Sequence, residues 1–213
     1  MFAWPGAGIA VASIYDLKPR FQALLRPATN WLAARGVTAN QVTIAAAVMS
    51  MTAGTLIAAY PASRVPLLLL PVVLLLRMAL NAIDGMLARE HGMKSRLGAV
   101  LNELGDVVAD AALYLPLALV PAISGWLVVV AVILGVIAEM AGVVAVQIGA
   151  ERRYDGPLGK SDRAFVFGAV GLLLGCGLEP GRWVDILLGA VVVLSVLTII
   201  NRCRKALTAS KPQ

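Results

Sequence analysis

The chain is poor in the side chains that many enzymes rely on. Its 213 residues include two cysteines and one histidine. Cys176 and Cys203 fit neither a zinc nor a dithiol spacing. His91 reads as a solvated loop residue rather than a ligand. No basic region precedes the first apolar residues, so no cleaved signal peptide is predicted. No internal repeat is evident. The run GPLGKS at residues 156–161 lacks the spacing and preceding strand of a phosphate-binding Walker loop.

What the chain has is apolar length. Hydrophobic residues make up 60% of it, and the mean hydropathy is +0.85. That is too apolar for a soluble domain and predicts an all-α integral membrane protein, one membrane domain over residues 1–213. Only helices that satisfy their own backbone cross lipid in this way. We place six transmembrane helices near 41–60, 65–88, 97–120, 122–149, 161–178 and 183–200, the fifth being short. Ahead of them, residues 13–36 mix Lys18, Arg20, Arg26 and Arg35 with Phe21, Leu24, Leu25, Trp31 and Leu32. This predicts an amphipathic interfacial helix, broken near Pro27 and ended by Gly36. Thr38 or Asn40 then caps the next helix. The net charge of +6 is read as topology, not nucleic-acid binding. With a cytoplasmic N-terminus, the outer loops hold only Arg64 and Arg182, and Arg77 lies within a span. Every other basic residue falls inside, so both termini are predicted to be cytoplasmic.

The span at 65–88 ends in polar residues that continue into the next one: NAIDGMLAREHGMKSRLGAVLNELGDVVAD, residues 81–110. Ionisable groups at a membrane-span end usually face a bundle interior or a watery cavity and mark a site. Asn81, Asp84, Gly85 and Ala88 are spaced for one helix face. Gly98, Asn102, Asp106 and Asp110 recur every four residues, a drift of only about 40° per step, so they also share a face. A turn near Gly92 would fold the two helices antiparallel and bring the faces together. The result is an oxygen-rich cage suited to a hard divalent cation, Mg²⁺ or Mn²⁺. The clustering of polar residues at one membrane face argues against a channel or transporter.

The stretch Asn81-x2-Asp84-Gly85-x2-Ala88-Arg89-x8-Gly98-x3-Asn102-x3-Asp106 resembles the signature of the CDP-alcohol phosphotransferase family. Its spacing is kept throughout. The interfacial helix and six spans resemble the family too. The first and third aspartates of the pattern are Asn81 and Asn102 here. The resemblance implies a membrane enzyme that moves a substituted phosphate from a CDP-alcohol to an acceptor hydroxyl and releases CMP, in phospholipid synthesis. It implies metal held by Asn81, Asp84, Asn102 and Asp106, with Asp106 as the base. It implies that Asp84, Gly85, Ala88, Arg89 and Gly98 cradle the nucleotide. A homodimer is expected on the same ground. The asparagines remove two charges from the cage and should weaken Mg²⁺ binding. Glu103 and Asp110 are candidates to compensate. A CDP-linked lipid donor, CDP-diacylglycerol, is preferred to CDP-choline or CDP-ethanolamine. The rival reading is a non-catalytic relative that binds nucleotide or lipid.

Three further features stand out. Arg77 lies at a depth where Asp110 can pair with it, which reads as a structural ion pair. Glu139 is an intramembrane acid with no assigned role. Arg152, Arg153, Lys160 and Arg163 crowd residues 149–168. They read either as topology and headgroup binding or as an acceptor pocket for a small or phosphorylated alcohol.

Overall fold

The computed structural model describes the backbone of residues 14–209 and the side chains from residue 19. Ser13 at the start of the predicted interfacial segment, the N-terminal residues on which the absence of a signal peptide is predicted, and Lys211 lie outside the described residues.

The described residues form seven α-helices. α1 is Ile14–Ala34, α2 Ala39–Ala59, α3 Arg64–Glu90, α4 Arg96–Tyr114, α5 Gly125–Gln147, α6 Lys160–Gly175 and α7 Arg182–Ala209. A short 3₁₀ segment, Leu115–Leu119, follows α4.

Helix α1 is unbroken, contrary to expectation: it runs through both Pro19 and Pro27. Pro27 removes only one backbone donor, and contacts on α3 hold the helix past that gap. Leu25, Leu32 and Ala33 pack with Ile83 and Leu87 of α3. Thr29 is buried and donates to the Leu25 carbonyl at 3.1 Å. The end of α1 is where expected. Gly36 has φ +75°, which glycine adopts without a Cβ penalty. Val37 N–H reaches Leu32 O at 3.1 Å and Gly36 N–H reaches Ala33 O at 3.0 Å. These are the paired bonds of a glycine-terminated helix. Between the two alternatives, Thr38 is the cap of α2. It accepts from Gln41 N–H at 3.3 Å, and its own N–H donates to Gln41 Oε1 at 2.9 Å.

α2, α3, α5 and α7 are long and apolar enough to cross a membrane. The chain is therefore an integral, multi-pass, all-helical membrane protein. The other two predicted spans are helices but do not meet the same standard. α4 carries Arg96, Glu103, Asp106 and Asp110, and α6 has only 16 residues where a span needs about 20.

Boundaries moved for local reasons. α4 gives way to 3₁₀ geometry at Leu115, where Pro116 cannot donate. α7 continues nine residues past the predicted 200, because Arg202 and Lys205 hold the loop before α6. α2 packs on both α3 and α4, α3 on α6 and α1, and α5 on α7. At the α2–α4 crossing, a Cβ on Gly54 would lie 1.8 Å from Ala112 O. Only glycine fits there. The apolar core includes Leu70, Leu113 and Leu188, with the rings of Tyr114 and Phe167 stacked at 4.2 Å.

Candidate active site between α3 and α4

The polar faces of α3 and α4 turn toward each other, but the two helices are not among the closely packed pairs. α2 lies against both, so a groove is left between α3 and α4 with α2 behind it. Side chains bridge it. Asn81 Nδ2 donates to Asp106 Oδ1 at 2.9 Å. Arg77 Nη2 donates to the Asp106 carbonyl at 2.9 Å, and the same nitrogen lies 3.4 Å from Asp106 Oδ1. Arg77 Nη1 donates to the Asp110 carboxylate, the expected buried pair. The Lys160 ammonium, at the start of α6, pairs with Asp106 Oδ1.

Asp84 is buried on α3 and accepts from the Thr43 hydroxyl of α2 at 2.7 Å. It lies within electrostatic reach of both Asp106 and Lys160. Thr43 was not singled out from sequence. It sits in the first turns of α2, where a lone polar residue carries no pattern, and only tertiary packing aims it at Asp84.

The other motif residues lie along α3 and α4 near these. Arg89 is exposed and folds back over Gly85, where a Cβ would lie 3.0 Å from its Nη1. Ala88 is half-buried beside it. A Cβ on Gly98 would lie 2.7 Å from Asn40 Oδ1 of α2, so this position admits no side chain without moving Asn40. Asn102 is exposed and is not tied to Asn81, Asp84 or Asp106 among the described residues.

The carboxylates considered as compensation are committed elsewhere. Glu103 accepts from Arg152 Nη2 at 2.6 Å. Asp110 is held by Arg77 and lies 3.6 Å from Arg163 Nη2.

Of the four basic candidates of residues 149–168, Arg152 and Arg163 meet at Glu139, while Lys160 lies on Asp106 and Arg153 on Asp155. Lys160 alone touches a motif carboxylate. Arg163 is buried and donates to Glu139 at 2.9 Å. Arg152 also lies 3.5 Å from Glu139 and stands over the Tyr154 ring. Burial opposes its charge, but Tyr154 and Glu103 outweigh that and raise its pKa above the usual value. Arg153 pairs with Asp155 at 2.8 Å. Lys205, donating at 2.7 Å, and Arg153 hold the Asp155 carboxyl below its usual pKa. Glu139 thus has a structural setting: Arg202 joins it at 3.5 Å and donates to the Ala138 carbonyl at 2.5 Å. Arg202 was missed because it lies beyond the predicted end of its helix.

Among the described residues, no three His, Cys, Asp or Glu side chains converge as a metal cage. Two motif carboxylates, Asp84 and Asp106, lie within electrostatic reach of each other, and the Asn81 amide nitrogen donates to Asp106. That set fits a single hard cation, since Mg²⁺ is commonly held by one or two carboxylates with water and substrate phosphate completing the shell.

A multi-pass helical membrane protein with a polar groove at one end of two helices is the class these features define. The profile of the CDP-alcohol phosphatidyltransferase family matches residues 36–200, and the chain belongs to that family. It is 46% identical over 200 residues to the inner membrane protein YnbA of Escherichia coli (strain K12), covering 93% of this chain and 98% of that one. Two solved structures of Mycobacterium tuberculosis phosphatidylinositol phosphate synthase, PgsA1, have the same fold. The one with CDP-DAG bound matches at TM-score 0.73 and 20% identity, over 88% of this chain and 96% of that chain. The one in complex with manganese and citrate matches at 0.73 and 21%, over 88% and 92%.

Proposed function

We propose that this protein transfers a phosphatidyl group from a CDP-linked lipid, CDP-diacylglycerol, to an acceptor alcohol and releases CMP. The observation that carries the reading is the placement of the two remaining motif aspartates on facing helices within electrostatic reach of each other, Asp84 on α3 and Asp106 on α4, with Asn81 bridging to Asp106. The lipid donor is supported by the fold shared with a synthase solved with CDP-DAG bound.

Arg89, Gly85, Ala88 and Gly98 bind the cytidine nucleotide, with Asp84 at the pyrophosphate end. Asp106 takes the proton of the acceptor hydroxyl. The alcohol oxygen then bonds to the phosphorus bearing the lipid, the bond from that phosphorus to CMP breaks, and CMP departs. Asp84 and Asp106, with the amide oxygens of Asn81 and Asn102, would hold Mg²⁺ or Mn²⁺. That ion, when bound, neutralises charge on the diphosphate. Lys160 is the basic residue best placed to meet the acceptor, while Arg152, Arg153 and Arg163 shape its surroundings through their ion pairs. We read α2 to α7 as six spans, α1 as interfacial, and the site and both termini as cytoplasmic, on the distribution of basic residues. A homodimer is proposed on family grounds.

The test is purified protein in detergent with labelled CDP-diacylglycerol and a panel of alcohols, read as CMP release and lipid product by mass spectrometry. Asp106→Asn should remain folded and lose at least about a hundredfold in CMP release, the usual scale for a general base. A second reading, a non-catalytic binder, is favoured by the asparagines at 81 and 102. Nucleotide binding without CMP release from any acceptor would establish it instead.

A further inference from the structure

Lys160 is in an unfavourable place for a cation. It is the first residue of α6, where the helix dipole presents its positive end. The acid that suits this end is two residues on: Asp162 Oδ2 accepts from Gly159 N–H at 2.7 Å. The Asp106 carboxylate accounts for Lys160 being there, and its Oδ1 is the atom the ammonium reaches.

The backbone beneath Lys160 is held. Leu158 N–H donates to the Thr198 hydroxyl of α7 at 3.0 Å, and a Cβ on Gly156 would lie 2.5 Å from Thr198. The side chain is not held in the same way. It is 30% exposed and its partner 26%. Pairs this open to solvent contribute little, so they exchange readily.

The charges also count. Asp84 and Asp106 carry two negative charges, and the asparagines carry none. Arg77 reaches Asp106 as well, but its charge is matched by Asp110. With Lys160 on Asp106 the centre therefore keeps one net negative charge; with Lys160 withdrawn it keeps two, the charge that one divalent cation neutralises. Asp110 and Glu103 cannot make this exchange, being held by Arg77 and Arg152.

We infer that Lys160 and a divalent cation hold Asp106 in alternation, the lysine serving as a tethered counter-ion that the metal must displace. This rests on the proposed metal role of Asp84 and Asp106. The displaced ammonium is then free for an anionic substrate, which could not draw it away while Asp106 stood bare.

The test measures Mn²⁺ binding by electron paramagnetic resonance on the purified full chain in detergent. The proteins compared are the wild type, Lys160→Met, Lys160→Gln, Lys160→Arg and, as a control, Asp84→Asn. Melting temperature is read with and without Mn²⁺. Removing the charge should tighten Mn²⁺ at least about tenfold in both neutral variants, while Lys160→Arg stays near wild type. Without metal the neutral variants should melt near the wild type, and Mn²⁺ should raise their melting temperature more than it raises the wild type's. Asp84→Asn should abolish binding. Equal Mn²⁺ affinity in the wild type and whichever neutral variant folds would overturn the inference, as would no Mn²⁺ binding by any form. Tighter Mn²⁺ binding by Lys160→Met, together with no CMP release by the wild type from any acceptor, would overturn the enzymatic reading and leave this one standing.

Discussion

An asparagine at position 81 does something an aspartate could not: its amide donates to Asp106 Oδ1 across the groove. Replacing it by aspartate puts two carboxylates side by side, and like charges repel unless a cation lies between them. Asn81→Asp should therefore melt lower than wild type without metal and gain more from Mg²⁺. A thermal-shift titration measures both, and an unchanged Mg²⁺ response would remove Asn81 from the metal's surroundings. Asn102→Asp should matter less, because that side chain is exposed on the neighbouring turn.

Arg77 and Asp110 make a second case at this scale. Losing either leaves a buried charge unpaired, at a cost of about 3–5 kcal/mol, so Arg77→Met and Asp110→Leu should each unfold at lower temperature. Together they should recover much of that loss. Arg77 also donates to the Asp106 carbonyl, so the stable double variant should still release CMP more slowly than wild type. Full activity in it would limit Arg77 to a structural role.

Among the helices, the α2–α4 crossing is the least forgiving. Gly54→Ala sets a methyl group against a backbone carbonyl that no rotamer change can move. The helices must separate, and overpacking of this kind typically costs about 1–3 kcal/mol. Gly189→Ala is the control, since a Cβ there meets nothing within 4 Å. Melting temperatures of the two variants decide the matter. Helix positions were legible because apolar runs, Gly36 and Thr38 are local signals. The face of α3 was legible for the same reason: Asn81, Asp84, Gly85 and Ala88 obey one helical period. The partners of that face were not. Thr43 reaches Asp84 from α2, Asn40 and Lys160 reach Gly98 and Asp106 on the facing α4, and nothing in their own neighbourhoods records the distance. Pro27 misled because a local rule against proline yields to the packing of α1 on α3.

For the molecule as a whole, the two free cysteines report on topology. Both are exposed. Cys176 follows the last residue of α6, about 24 Å along the helix from Lys160. Cys203 lies near the end of α7 beside Arg202, which reaches back to Asp155 in the loop before α6. The two thiols therefore mark opposite ends of the bundle. In sealed right-side-out vesicles, a membrane-impermeant maleimide should label Cys176 and spare Cys203 until the membrane is opened. The opposite order would invert the proposed orientation. Labelling of both thiols before opening would contradict it as well.

Helix α4 has two characters along its length. Gly98, Asn102 and Asp106 face the groove, and Val100, Leu104 and Val108, two residues out of step with them, are exposed on the other side. A residue two places along a helix points nearly the opposite way. α4 is thus a partition a single helix thick, about 10 Å, with hydrocarbon-compatible surface behind it and carboxylate chemistry in front. For a reactant whose head is charged and whose tails are oil, such a wall is a hinge point. For the lipid donor proposed above, the head would rest in the groove while the tails stay dissolved in the bilayer, so the journey from donor pool to reaction would be confined to two dimensions.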